Sequence, residues 1–306
     1  MANKKPLQNK AKLTKTSDKK PLLGFIGQGF VGKAYADDFE KRGFITVRYA
    51  LEAPYRDNKE KIKECDIVFI AVPTPSTPKG FDDSIIRGAV KLLGKGKVAV
   101  IKSTILPGTT ASIQKENPDI FVFHSPEFLR EVTALFDAAH PERNIIGVPE
   151  KSPEYMEKAK QVLAILPKAK FELITGAEEA ELVKYAGNCF FYFKVIFANL
   201  FYDVAKSQHI DWTTVRSAVA ADPRIGGSHL EPIHKSGRGA GGHCFIKDFA
   251  AFASLYEKVV GDPAGKKVIE SLRDKNIDLL VKSNKDLDLL TGVYGEDFLK
   301  KFKDKK

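Results

Sequence analysis

The stretch Leu22-Leu23-Gly24-Phe25-Ile26-Gly27-Gln28-Gly29-Phe30-Val31-Gly32 runs from a short apolar segment straight into glycines spaced GxGxxG. A helical segment, Val31 to Arg42, follows at once, and Gly43 terminates it. Strand, glycines and helix in that order form the context for binding a dinucleotide. Gly27 permits the tight turn, Gly29 lets a pyrophosphate approach the backbone, and Gly32 lets the helix pack closely on the strand. Phe30 and Val31 open the helix, whose first N–H groups face the phosphates. Without that context the same residues would be an ordinary strand-to-helix turn.

Outward from this turn, short apolar runs alternate with polar, helix-length segments as far as Thr175. Further strands are expected at residues 45–49, 67–72, 98–102, 120–124, 144–148 and 171–174, and a helix at 153–166. This is the α/β pattern of a Rossmann-like, doubly wound parallel sheet. From Ala177 to about Ser207 the texture changes. There is no Pro, and apolar residues recur with helical spacing, which predicts one helix of about 30 residues and 45 Å. Helices are also expected at 212–220 and 249–258, separated by a Gly-rich loop from Gly226 to Gly242. The expected division is a basic, disordered tail at 1–20, a cofactor domain at 21–175, an all-helical central and dimerisation domain at 176–270, and a short helical extension with a basic tail at 271–306. The long helix, apolar around much of its circumference, calls for cover by a second copy of the chain.

The chain has 306 residues, 43% hydrophobic and 29% charged, enough for buried cores and too apolar for wholesale disorder. Its net charge of +10 is concentrated at the ends. Residues 1–20 hold seven Lys and one Asp, and residues 300–306 hold five Lys and one Asp, so residues 21–299 are formally neutral. A folded basic groove for specific nucleic-acid recognition is therefore not expected. Three widely spaced cysteines, with no CxxC pair and no leader-like apolar segment, point to a reduced, cytoplasmic protein. Cys65 and Cys189 read as core residues. No run reaches 18 apolar residues, so no membrane span is expected, and the spacing of His229, His234 and His243 fits no metal template.

The second expected strand ends in Val47-Arg48-Tyr49-Ala50-Leu51-Glu52. Glu52 is the nearest carboxylate to the position that binds the adenosine ribose in NAD sites. Arg48 and Arg56 leave NADP open beside NAD. Four later segments carry the chemistry: Ser103-Thr104-Ile105-Leu106-Pro107-Gly108-Thr109-Thr110, Ser125-Pro126-Glu127-Phe128-Leu129-Arg130-Glu131, Glu181-Leu182-Val183-Lys184-Tyr185-Ala186-Gly187-Asn188, and Gly237-Arg238-Gly239-Ala240-Gly241-Gly242-His243-Cys244-Phe245-Ile246-Lys247-Asp248. Together with Val72-Pro73-Thr74-Pro75, and in this order, they resemble the UDP-glucose/GDP-mannose dehydrogenases over residues 22 to about 258. Members of that family oxidise the 6-hydroxyl of a nucleotide sugar to a carboxylate with two NAD.

Four-electron oxidation needs a group that holds the intermediate aldehyde, and a thiolate does so as a thiohemiacetal that becomes a thioester. Cys244, in the Gly-rich loop, is the candidate. Lys184 and Asn188, four residues apart, project from one helix face and suit an oxyanion. The resemblance implies that Asp248, with a water or Lys184, is the base of the first oxidation. It also implies that Glu127 activates the hydrolytic water, which Thr104 helps to orient. Substrate contacts are implied for Glu131, Phe128, Leu129 and Gly241, with Arg224 inserted into a neighbouring subunit's site. Cofactor contacts are implied for Val72, Pro73, Thr74, Ser103, Thr104 and Lys247. Read singly, the charged residues would be solvated helix-face charges, and Arg224 a helix cap. Two departures stand out. Ser125 replaces the usual Asn before Pro-Glu-Phe, and only 51 residues follow Phe252-Ala253-Ser254-Leu255, too few for the family's C-terminal nucleotide-binding domain. Two other functions share parts of the pattern: a two-electron hydroxyacid dehydrogenase, and a non-catalytic NAD-binding remnant in polysaccharide assembly.

Overall fold

All four residues of β1 (Leu23–Ile26) are buried. A strand covered on both faces belongs inside a parallel sheet. In the computed structural model, which describes residues 20–303, β1 lies between β2 (Thr46–Tyr49) and β3 (Ile67–Ile70), parallel to both. The expected basic tail lies outside the described residues up to residue 19. Helix α1 (Phe30–Lys41) links β1 to β2. After β3 come a small hairpin of β4 (Ser76–Thr77) and β5 (Gly80–Phe81), then α2 (Ser84–Val90), β6 (Val98–Ile101), α3 (Thr109–Glu116), β7 (Phe121–His124), α4 (Ala134–Ala139), β8 (Arg143–Val148), α5 (Pro153–Ile165) and β9 (Phe171–Gly176).

These elements build a seven-stranded sheet in the order β2-β1-β3-β6-β7-β8-β9. Alternation along the strands supplies a core on each face. Leu23, Phe25, Phe69, Val98, Val100 and Phe123 pack with Phe39 of α1 and Val162 of α5. Ile26, Val68, Ile70, Ala99 and Ile101 pack with Ile86 of α2 and Ile113 of α3. The expectation of a wholly parallel sheet needs one correction: β7 and β8 are antiparallel, and β8 and β9 are parallel to each other. Between β7 and β8 the longest helix is α4, six residues or about 9 Å. A full parallel crossover needs a longer return.

Helix α6 (Ala177–Ser207) runs unbroken for 31 residues, about 46 Å. Glu178 and Glu179 in its first turn and Lys206 in its last suit the helix dipole. Tyr192 on its inner face stacks on Phe249 at 3.9 Å between ring centres, in a core that also holds Cys189, Ile196 and Ile269. The outer face leaves Phe190, Phe197, Phe201 and Val204 exposed. Then follow α7 (Trp212–Ala220), a hairpin of β10 (Ile233–His234) and β11 (Gly237–Arg238), α8 (Gly242–Val259), α9 (Pro263–Lys282), α10 (Leu287–Tyr294) and α11 (Glu296–Lys303). Helix α8 begins seven residues before the expected Phe249, so Cys244 sits in its first turn and not in a loop. The glycines that read as breakers serve instead as the cap, Gly241, and the first helical residue, Gly242. Among the described residues no helix is long and apolar enough to cross a membrane.

Candidate functional site

One cleft of about 1060 Å³ runs from the glycine turn of β1 and α1 to the first turn of α8. At the turn, Gly27 has φ +90°, and a Cβ there would stand 2.2 Å from the Ala71 carbonyl oxygen. A Cβ on Gly32 would stand 1.9 Å from the Gly27 carbonyl oxygen, whereas one on Gly29 would meet nothing within 4 Å. Gly32 therefore serves the close packing of α1 on the turn, Gly27 lets the turn pass against the chain leaving β3, and Gly29 keeps the approach to the α1 N-terminus open. Gly29 caps α1 with no side-chain hydrogen bond, so the first N–H groups stay available to an anion. Phe30, Val31 and Glu52 also line the cleft. This cradle fits the pyrophosphate and ribose of NAD. Arg48, which left NADP open, is held by Asp37 at 2.7 Å and Glu40 at 2.6 Å, and Arg56 donates to the Leu51 carbonyl at 2.6 Å.

The next stretch of wall is tied together across strands. Ser103 Oγ accepts from the Val72 N–H at 3.0 Å and donates to the Val72 carbonyl at 2.7 Å. Thr74 donates to the Thr104 carbonyl at 2.9 Å. Ser76 donates to the Lys247 carbonyl at 2.9 Å, which joins this loop to α8. Val72, Pro73, Thr74, Ser103, Thr104 and Lys247 all line the cleft.

At the far end, Cys244 is exposed and Glu127 buried, both on the cleft wall. Lys184 donates to Glu127 Oε1 at 2.8 Å and to its carbonyl at 2.9 Å. Asn188 donates to Asp248 Oδ2 at 2.6 Å, and Lys247 pairs with the other oxygen of Asp248 at 2.6 Å. Lys184, Asn188 and Asp248 stand just behind the wall and reach it through Glu127 and Lys247. Burial works against the Lys184 ammonium, but Glu127 more than offsets it and raises its pKa. Cys244 is exposed as a residue, while the cleft walls crowd its thiol. Desolvation there raises the thiol pKa, Lys184 opposes the shift, and Asp248 adds to it. Glu181 explains another of the quoted segments. Its carboxylate accepts from the N–H groups of Gly108 at 2.7 Å and Thr110 at 2.8 Å, pinning α6 to the start of α3.

Glu131, Phe128, Leu129, Gly241 and Arg224 do not line this cleft. Glu127 and Glu131 do not share a helix face. Pro126 precedes the segment, and the N–H groups of Leu129 and Arg130 go to the side chains of Glu127 and Asp137 at 2.7 and 2.9 Å, not to carbonyls four residues back. Glu131 is consequently exposed in a separate single turn. Phe128 stacks against the Arg143 guanidinium at 3.7 Å, and Leu129 packs against the sheet core. Gly241 abuts Asp286, to which a Cβ would come within 2.0 Å. Arg224 is 87% exposed and paired with Asp222 at 2.7 Å.

Other groups on the cleft went unforeseen. Lys102, buried at the end of β6, donates to Ser125 Oγ at 3.1 Å and lies 4.4 Å from the centre of the Tyr35 ring. Burial, opposed by Glu127, lowers its pKa to about 7. An ammonium closing a fully apolar strand was the available signal, because such burial is costly. Asp288, Leu289, Gly292 and Val293 of α10 form a further wall, and nothing in their sequence pattern announced it.

Two family models match this chain. The NAD binding domain of the UDP-glucose/GDP-mannose dehydrogenase family matches residues 47–166, and its central domain matches residues 178–277. The chain belongs to the UDP-glucose/GDP-mannose dehydrogenase family. The glycine turn precedes the first matched residue, so its assignment to NAD rests on the geometry above as well as on the family. UDP-glucose 6-dehydrogenase TuaD of Bacillus subtilis (strain 168) is 34% identical over 233 residues, covering 72% of this chain and 48% of the relative. Putative UDP-glucose 6-dehydrogenase YtcA of the same organism is 30% identical over 242 residues, covering 73% and 54%. The chain thus spans about half the length of these dehydrogenases. The solved UDP-glucose dehydrogenase of Pyrobaculum islandicum superposes with a TM-score of 0.71 at 27% identity, over 87% of this chain and 71% of that one. A 3-hydroxyisobutyrate dehydrogenase of Mycobacterium tuberculosis superposes with a TM-score of 0.67 at 14% identity, over 90% and 99%, a likeness of fold alone.

Proposed function

We propose that the protein oxidises the primary alcohol of a nucleotide sugar to a carboxylate in two NAD-dependent steps, with Cys244 as the covalent nucleophile. The observation that carries this reading is the placement of Cys244, an exposed residue, on the same cleft as the glycine turn and Glu127. NAD, when bound along that turn, accepts the hydride released in each oxidation. Asp248, with a water or Lys184, takes the hydroxyl proton as the alcohol becomes an aldehyde. The Cys244 thiolate then adds to the carbonyl carbon, and Lys184 and Asn188 stabilise the oxyanion of the thiohemiacetal. Loss of the second hydride leaves a thioester. Glu127 deprotonates a water oriented by Thr104, the water adds, the carbon–sulfur bond breaks, and carboxylate and free thiol remain. One water is consumed and two NADH are formed per acid.

The working unit we infer is a homodimer in a reducing, cytoplasmic setting. Phe190, Phe197, Phe201 and Val204 make an exposed apolar stripe along α6, and Arg224, solvent-facing in one copy, would exchange its Asp222 partner for the neighbouring subunit's site.

Purified protein is mixed with NAD and UDP-glucose, GDP-mannose or UDP-N-acetyl sugars, and NADH is followed by absorbance. Two NADH per product are expected. One per product would favour the hydroxyacid dehydrogenase reading, and NAD binding without turnover on any of these sugars would favour a non-catalytic role. Cys244→Ala is expected to stop acid formation and Cys244→Ser to accumulate an ester-like intermediate; a fully active Cys244→Ala protein refutes the covalent scheme.

A further inference from the structure

The loop that leads into α8 is held by side chains that come after it in sequence. Asn276 of α9 accepts from the Ala240 N–H at 2.7 Å and donates to the Ala240 carbonyl at 3.0 Å. Ser283 Oγ accepts from the Arg238 N–H at 2.9 Å. The buried Lys285 ammonium donates to the Gly239 carbonyl at 3.1 Å and, more weakly, to the Gly237 carbonyl at 3.4 Å. Asp286 accepts from the Gly242 N–H at 2.7 Å, at the first residue of the helix that carries Cys244. The match is chemical as well as steric. A cation meets carbonyls, an anion meets an amide, and an amide side chain meets both kinds of group on one residue.

Two features mark the Ser283–Asp286 segment as built for this contact. Asn284 and Asp286 both occupy the left-handed region, with φ +50° and +53°, a conformation that Asn and Asp tolerate better than other non-glycine residues. The loop has glycine where the brace touches it, since a Cβ on Gly237 would come within 2.4 Å of Ser283 Cβ and one on Gly241 within 2.0 Å of Asp286 Oδ2. The segment also lies beyond residue 277, where the family match ends.

We propose that Asp286 is a positioning residue for Cys244, fixing the first turn of α8 as the anchor of a brace formed with Ser283 and Lys285. The role rests on Cys244 being the nucleophile. Asp286 acts through the backbone and adds a negative charge behind that turn. The charges that act on the thiol are Lys184 from α6, Glu127 from the loop after β7, and Lys247 and Asp248 from α8 itself; Lys102, His243 and Asp288 line the same cleft, and Lys285 stands beside Asp286.

The test is alkylation of Cys244 by iodoacetamide as a function of pH, read by mass spectrometry on the intact chain. Cys65 and Cys189 are buried and do not compete. Asp286→Asn keeps the shape and the tolerance of left-handed backbone but removes the charge. It is expected to make alkylation about threefold faster below the midpoint, since one negative charge behind the turn is removed. Asp286→Gly also frees the Gly242 N–H, so alkylation is expected to quicken at every pH while kcat falls and KM for NAD stays within about twofold. Both variants should keep the NAD-dependent rise in melting temperature, since neither touches the glycine turn. Faster alkylation of the variants with no turnover by the unmodified protein on any sugar nucleotide would sink the enzymatic reading and leave the brace standing. Alkylation rates, midpoints and kcat equal to the unmodified protein in both variants would overturn the brace and leave the enzymatic reading intact.

Discussion

Lys184 and Glu127 form a buried ion pair in which each charge depends on the other. Removing one member of such a pair typically costs about 3–5 kcal/mol because the remaining charge is stranded. Lys184→Met is therefore expected to lower the melting temperature sharply as well as to stop turnover. Adding Glu127→Gln should restore most of the stability and none of the activity, which separates structure from chemistry in one pair of melts and assays. His124 makes a different demand. It is fully buried, and burial, reinforced by Lys102 and opposed by the Ile101 backbone, lowers its pKa from 6.5 to about 3. The unfolded chain binds this proton near pH 6.5 and the folded chain does not, so stability is full above pH 6.5 and lost as pH falls toward 3. The expected loss from this group is about 1.4 kcal/mol per pH unit within that window. Denaturant titrations at pH 7.5, 6 and 5 should show that slope, and His124→Phe should remove it; equal slopes would mean that the imidazole binds its proton in the folded chain as well.

At the scale of elements, the turn into α1 separates two uses of glycine. Gly32→Ala drives a Cβ into the Gly27 carbonyl and is expected to destabilise the fold. Gly29→Ala places its Cβ in open space, and is expected to leave the melting temperature unchanged while abolishing the further rise that NAD causes; retention of that rise would move the pyrophosphate away from the α1 N-terminus. On α6 the apolar stripe belongs to the element as a whole. Phe201→Glu with Val204→Glu should yield a monomer by light scattering, and a dimer that survives both charges would exclude this face as the interface. Both elements were legible in sequence, α1 from strand, glycines and helix in order, and α6 from 31 residues with helical periodicity and no proline. The start of α8 was not, because Gly241-Gly242 weakens a helix by propensity while supplying a permissive cap. The exposure of Glu131, four residues after Glu127, was not legible either. An interval of four means a shared face only inside a helix, and side-chain acceptors had already taken the backbone donors there.

At the scale of the molecule, the cleft depends on residues from both ends of the chain. The glycine turn lies within the first 32 residues, and α10 lies within the last 20. The two-faced sheet could be anticipated from strand periodicity, whereas Cys244, Glu127 and Lys184 were singled out together by the family resemblance. The α10 wall could not be anticipated, since it lies beyond the family match and its placement follows from tertiary packing against the Ser76–Thr77 strand and α8. This wall offers a test of the cleft as a single site. Gly292 lines it, and a Cβ there would meet nothing within 4 Å. A tryptophan at that position would therefore project into the cleft without displacing the core. Gly292→Trp is expected to melt close to the unmodified protein yet to lower kcat/KM for a sugar nucleotide roughly 100-fold, the scale of penalty that a misplaced reacting group incurs. If the defect lies in KM for the sugar with KM for NAD unchanged, α10 borders the substrate; if NAD binding fails first, it borders the cofactor; and unchanged kinetics would put α10 outside the reaction path.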